Sequence, residues 1–109
     1  NQLRVCETQA LVDTKAVRTV IPMRIVQQLG LKIRGQQIAK YADGREEAVG
    51  LTEPVIIELE GRQTTEVTLV TGDVLIGQTV LERLDLLVDC KNQRLIPNPA
   101  HPDYPVLRV

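Results

Sequence analysis

The segment Ala10-Leu11-Val12-Asp13-Thr14-Lys15 decides how the rest of the chain is interpreted. It places an acid and a hydroxyl directly after three apolar residues, which is typical of a polar loop at the end of a strand. An aspartate in such a place is most often a turn or capping residue. A second segment, Val74-Leu75-Ile76-Gly77, is also an apolar strand, and a short predicted helix follows it. The two segments are therefore interpreted together.

Short apolar segments separated by turn residues predict an all-β, barrel-like domain with one or two short helices. The predicted strands are Leu3–Val12, Val17–Ile21, Leu31–Tyr41, Arg45–Val49, Pro54–Leu59, Gln63–Val70, Val74–Ile76, Leu86–Val88 and Arg94–Ile96. A helix of about two turns is expected to begin at Pro22 and to end at Gly30. Thr79 is expected to cap a second helix that runs through Leu84.

The domain is expected to span residues 1–97, and a proline-rich tail to span 98–109. Proline removes a backbone donor and fixes φ, so an extended tail on the surface is predicted. His101, in this tail, is expected to be solvated. The aspartates beside turns are expected to bond their own backbone; they are Asp43, Asp73, Asp85 and Asp89.

Composition excludes several classes of function. The net charge is -1 and aromatic residues make up 2% of the 109 residues, so neither a basic face nor a base-stacking platform for nucleic acid is expected. No apolar run is long enough to cross a bilayer, so we expect a soluble protein with no membrane partner. Cys6 and Cys90 have no second thiol or histidine at metal-ligand spacing, which predicts no metal and no cofactor. They could form one disulfide, but free thiols in the cytoplasm are the preferred interpretation.

Together these segments resemble the retropepsin-like (retroviral-type) aspartic proteases, in particular the bacterial members with a single catalytic motif. The resemblance runs from about Ala10 to Pro99, with Ala10–Thr14 as the catalytic loop. Tyr41-Ala42-Asp43-Gly44-Arg45 resembles the tip of the flap hairpin, and Leu75-Ile76-Gly77-Gln78 resembles the family's motif of two apolar residues and a glycine. The implied fold is a closed barrel equivalent to half of a two-lobed acid protease.

The resemblance implies a homodimer that cleaves extended peptides, because each chain supplies only one aspartate. Asp13 would meet its copy across a two-fold axis, and Thr14 would brace the pair. Two carboxylates in contact share one proton, so one can activate water while the other donates to the scissile carbonyl. Besides the loop residue Ala16, the substrate-binding residues would be Tyr41, Ala42, Asp43, Gly44, Ile76 and Gly77.

Lys15 departs from the family motif, which has glycine in this position. Its ammonium group would favour ionised carboxylates and oppose the shared proton, or it would contact Asp13 directly. Alternatively, the side chain points outward and the backbone is unchanged. The sequence therefore leaves open an active protease, a catalytically impaired dimeric module that binds peptide or mediates assembly, and an unrelated β-barrel adaptor. Only 12 residues precede Asp13, so the dimer sheet made by chain termini is expected to be incomplete or to use the C-terminal segment.

Overall fold

The computed structural model describes residues 4–106, and this part of the chain contains ten strands and two short helices. In chain order they are β1 (Leu11–Val12), β2 (Val20–Ile21), α1 (Met23–Leu29), β3 (Ile33–Lys40), β4 (Glu46–Thr52), β5 (Val55–Leu59), β6 (Arg62–Glu66), β7 (Leu69–Val70), β8 (Leu75–Ile76), α2 (Gln78–Leu84), β9 (Leu86–Asp89) and β10 (Arg94–Pro97). The mainly β architecture with two helices agrees with the sequence-based expectation. The start of the predicted Leu3–Val12 strand and the last three residues of the tail lie outside the described residues. Neither helix of residues 4–106 is long and apolar enough to cross a membrane.

Six strands form one sheet in the order β1-β8-β2-β7-β4-β3. The pairs β5–β6 and β9–β10 are separate antiparallel hairpins. Hydrogen bonding is thus divided among three sheets in the described chain. β1 lies at an edge of the large sheet and pairs in parallel with β8, with Leu11 beside Leu75 and Val12 beside Ile76.

Three predicted strands are shorter or interrupted in the structure. The segments predicted as Leu3–Val12 and Val17–Ile21 are reduced to β1 and β2. Strand backbone needs a hydrogen-bonding neighbour, and residues 4–10 have none among the described residues. The predicted Gln63–Val70 strand divides into β6 and β7, because the Thr68 N–H donates to the Thr52 hydroxyl between them.

Two aliphatic clusters hold the helices against the sheet. Ile25 and Val26 of α1 pack with Ile21 and Val74, and Gly30 ends this helix at φ 67° as predicted. In the second cluster, Ile76 and Leu86 pack against the buried face of α2, which is formed by Val80, Leu81 and Leu84. The predicted cap of α2 is wrong: Gly77 precedes the helix, and the Thr79 hydroxyl bonds to Val17 and Glu66 instead.

The C-terminal segment is attached to the end of α2 through Asp85. Its carboxylate accepts hydrogen bonds from the Asn98 amide at 3.0 Å and the Val106 N–H at 3.1 Å, and it lies 2.6 Å from the His101 ring. These contacts, led by the Asn98 amide, lower the pKa of Asp85. The expectations of a solvated His101 and of a purely local role for Asp85 are therefore wrong. Buried Arg62 adds bonds to the carbonyls of Leu84, Asp85 and His101.

Candidate active site

Asp13 lies immediately after β1, half-buried, in a loop fixed by backbone hydrogen bonds. Its N–H donates to the Ile76 carbonyl at 3.2 Å, which continues the parallel pairing of β1 with β8. The Ala16 N–H donates to the Asp13 carbonyl at 3.1 Å, so the chain turns directly after the aspartate. The Lys15 N–H donates to the Asp13 carboxylate at 2.9 Å. The loop thus holds the carboxylate by a backbone donor, which lysine supplies as well as glycine does.

Gly77 allows β8 and α2 to pass very close to the loop that follows Asp13. A Cβ atom at this position would lie 2.5 Å from the carbonyl carbon of Arg18 and 2.7 Å from the carbonyl oxygen of Val17. Both contacts are with backbone, so no side-chain rotation could relieve them. The glycine of the apolar-apolar-glycine segment is therefore required by space.

The start of α2 fixes the loop after Asp13 through several donors. The Gln78 N–H donates to the Ala16 carbonyl at 2.7 Å, and the Thr79 N–H donates to the Val17 carbonyl at 3.2 Å. The Thr79 hydroxyl lies 3.0 Å from the same carbonyl. The Gly77 N–H donates to the hydroxyl of Thr19, which is buried. These bonds join the two sequence segments into one rigid unit.

The hairpin of β3 and β4 presents the predicted flap tip. Gly44 has φ 89°, and Asp43 accepts the Arg45 N–H at 3.0 Å, so this turn and the local role of Asp43 are as predicted. The bonds from the Arg45 N–H and guanidinium lower the pKa of Asp43. The Arg45 guanidinium lies over the Tyr41 ring at 4.7 Å, and the Tyr41 hydroxyl donates to Glu47 at 3.3 Å.

The comparisons with known proteins agree with this arrangement. A family model described as "gag-polyprotein putative aspartyl protease" matches residues 5–83, most of the chain. The chain belongs to this family. No curated protein matches the chain closely enough to serve as a relative. Among solved structures, the chain is similar to the retroviral protease-like domain of Ddi1 from Leishmania major, with 18% identity and a TM-score of 0.60. That match covers 90% of this chain and 84% of the other.

The retropepsin-like fold and the aspartic protease family are thus established, and the interpretation as an unrelated β-barrel adaptor falls away. The structure brings Asp13, Ala16, Ile76 and Gly77 together. Thr14 and Lys15 are exposed beside them. The flap-tip residues 41–44 form no hydrogen bond with loop 13–17 in the described chain.

The structure shows how Lys15 fits into the loop of a single copy, at the position where the family has glycine. Its φ is negative, so this backbone does not need glycine for its conformation. Within residues 4–106 its ammonium forms no ion pair with Asp13. In a single copy of this retropepsin-like domain, lysine is therefore compatible with the geometry of the loop that carries Asp13.

The sequence alone did not indicate the residues that hold the loop after Asp13 in place, which are Thr19, Thr79 and Glu66. Thr19 is buried in the structure. The available signal in the sequence was a hydroxyl residue inside the predicted strand Val17–Ile21. Thr79 was assigned to helix capping, although it lies against Val17 and against the Glu66 carboxylate at 2.6 Å. Glu66 is itself buried. No local sequence pattern joins these residues, because they come from three separate parts of the chain.

Proposed function

We propose that this retropepsin-like chain is a homodimeric aspartic endopeptidase whose active site contains Asp13 from two copies. The observation that carries the proposal is the half-buried Asp13 carboxylate, held by the Lys15 N–H on a loop fixed to Gly77 and α2. Such fixed orientation is what a catalytic carboxylate needs, since small displacements of a reacting group reduce rates strongly.

The surface around Asp13 supports pairing with a second copy. Leu11 is 66% exposed and Val17 is 64% exposed, and these apolar side chains lie on either side of the aspartate in sequence. Within the part of the chain that the structure describes, β1 is also an edge strand with one unpaired side. A two-fold axis at this surface would bury the same apolar residues from both copies and bring the two aspartates together.

In such a dimer the two Asp13 carboxylates would share one proton, because two adjacent negative charges are costly. The ionised carboxylate takes a proton from water as the water oxygen bonds to the scissile carbonyl carbon, and the protonated carboxylate donates to the carbonyl oxygen. When the resulting diol breaks its C–N bond, the carboxyl group that took the proton of water gives it to the leaving amine, and the other carboxylate takes a proton from the diol. Thr14 braces the pair. An extended peptide lies between this floor and the flap tips, which carry Tyr41–Gly44, and it pairs with strand edges through its backbone.

A second candidate function is that of a catalytically impaired dimeric module that binds peptide or mediates assembly. Lys15 favours it, because a dimer brings two ammonium groups near the aspartates, where they oppose the shared proton. The location proposed for either form is the cytoplasm, which fits the free thiols of Cys6 and Cys90.

Cleavage of a mixed peptide library between acidic and neutral pH tests the proposal. We expect cleavage by the unmodified protein, inhibition by a pepstatin-like compound, and no cleavage by the Asp13→Asn variant. Lys15→Gly should raise the rate and move the optimum to higher pH, because removal of two ammonium groups makes the shared proton easier to keep. Cleavage that persists in Asp13→Asn would refute the mechanism. No cleavage by either the unmodified protein or Lys15→Gly, with the dimer intact, would instead favour the non-catalytic module.

A further inference from the structure

A cleft of about 390 Å³ lies beside the proposed catalytic loop, between Arg18 at the end of that loop, the end of β6 and α2. Its charged lining residues are Arg18, Glu66 and Arg83, and Thr79 and Val67 complete one wall. The Val17 carbonyl accepts both the N–H and the hydroxyl of Thr79, so the cleft and the loop of Asp13 share hydrogen bonds. The cleft is thus rigidly connected to the proposed active site.

Both guanidinium groups are held in place by backbone carbonyls at the end of β6. Arg18 Nη2 donates to the Val67 carbonyl at 3.1 Å, and Arg83 Nη1 donates to the Thr65 carbonyl at 3.0 Å. Each guanidinium has five N–H donors, so most of them have no protein acceptor after these bonds. Planar, preorganised donors of this kind suit carboxylate oxygens.

Glu66 does not neutralise the cleft. One of its carboxylate oxygens contacts Thr79 at 2.6 Å and Arg83 at 3.6 Å. The other oxygen is buried and has no hydrogen-bond partner among the described residues. Two positive charges and one negative charge therefore line the cleft, and within residues 4–106 Arg18 has no carboxylate partner.

We propose that this cleft binds a carboxylate of the peptide ligand, from an aspartate or glutamate side chain or from its C-terminus. The inference rests on the proposed function, because it assumes that a peptide lies along the loop of Asp13. Arg18 follows Asp13 by five residues, a separation of at most roughly 18 Å along an extended chain. A bound extended peptide advances about 3.3 Å per residue, so the carboxylate would lie within about five residues of the scissile bond.

Binding of fluorescent peptides to the Asp13→Asn protein tests this inference without requiring catalysis. One library carries aspartate or glutamate at successive positions with an amidated C-terminus, and a matched library carries asparagine or glutamine. A third set of neutral peptides has a free C-terminal carboxylate. We expect one position of the acid to improve affinity by about tenfold or more, the scale of charge-assisted hydrogen bonds.

Arg18→Gln and Arg83→Gln should each reduce that acid preference, and the glutamine amide can still donate to the same strand carbonyl. Arg94→Gln is the matched control, because it removes the same charge from the β9–β10 hairpin, where Arg94 pairs with Asp89. Peptide binding without acid preference, or a preference equally reduced in Arg94→Gln, would overturn the cleft assignment and leave the proposed function intact. Failure to bind any peptide would overturn both.

Discussion

Gly77→Ala is the substitution whose effect follows most directly from the geometry. The added methyl group would lie 2.5 Å and 2.6 Å from the carbonyl carbon and oxygen of Arg18, well inside contact distance. The neighbouring atoms belong to backbone that is already fixed by the bond from the Gly77 N–H to Thr19. Either β8 or the loop of Asp13 must therefore move.

The expected cost is at the upper end of the range for overpacking, about 2–3 kcal/mol of unfolding free energy. For a domain of this size each kcal/mol corresponds to roughly 4–8 °C in the melting temperature, so the shift should be about 8–24 °C. Any peptidase activity should fall further than the folded fraction, because the displaced segment carries Asp13.

Thermal and urea unfolding at one fixed protein concentration would measure this cost, since dimerisation makes stability concentration-dependent. Gly35→Ala is the matched control. Its φ is not in the left-handed region, and the nearest atom to its added methyl is a Leu51 side-chain carbon at 3.9 Å. If the two variants unfold within about 0.5 kcal/mol of each other, the close approach at Gly77 does not constrain the fold as described.

Three further predictions concern other parts of the structure. The pKa of Asp85 is lowered in the folded state, so its contribution to stability is present above about pH 4 and is lost as the pH falls through the folded value. Asp85→Asn should therefore reduce the loss of stability between pH 6 and pH 3 in urea unfolding, and an unchanged pH dependence would contradict this. Residues 41–45 should exchange amide hydrogens faster than Leu75–Gly77, because a flap must open for peptide entry, and equal protection would count against a flap. Thr79→Val removes the hydroxyl that reaches Val17 and Glu66, and should cost about 1–3 kcal/mol in the same unfolding assay, whereas a neutral effect would show that these bonds are dispensable.

Local features of this fold could be predicted because single residues determine them. Gly30 ends α1 in the left-handed region, and Asp43 with Gly44 forms the turn between β3 and β4. The gap between the predicted strands Pro54–Leu59 and Gln63–Val70 is likewise a turn, in which Glu60 and Gly61 have φ 51° and 74° and join β5 to β6. Short-range backbone preferences act in the same way in the isolated segment and in the folded chain.

Contacts between distant segments could not be predicted in the same way. Asp85 and His101 appeared to be unrelated turn and tail residues, and only the folded chain places the ring against the carboxylate at 2.6 Å. The hydrogen bonds of Thr19 to Gly77 and of Thr79 to Val17 likewise join segments that are distant in the sequence. Polar residues that satisfy each other in the interior carry no periodic signal, because their pairing depends on the complete packing arrangement.

The effect of Lys15 could be predicted only in part. The sequence indicated a conflict with the glycine of the family motif, and the structure of one copy shows a negative φ and a backbone N–H that holds Asp13. The remaining effect of its charge depends on the second copy, since it arises only where two ammonium groups approach two carboxylates.

The distance between the two Asp13 carboxylates in a crystal structure of the assembled protein tests the central claim most directly. A shared proton requires the two groups in hydrogen-bond contact, about 3 Å between the nearest oxygens, on a two-fold axis. We expect that separation, with Leu11 and Val17 buried at the same interface. A stable dimer with the two aspartates on surfaces remote from the axis, or a protein that stays monomeric at high concentration, would contradict the proposed active site.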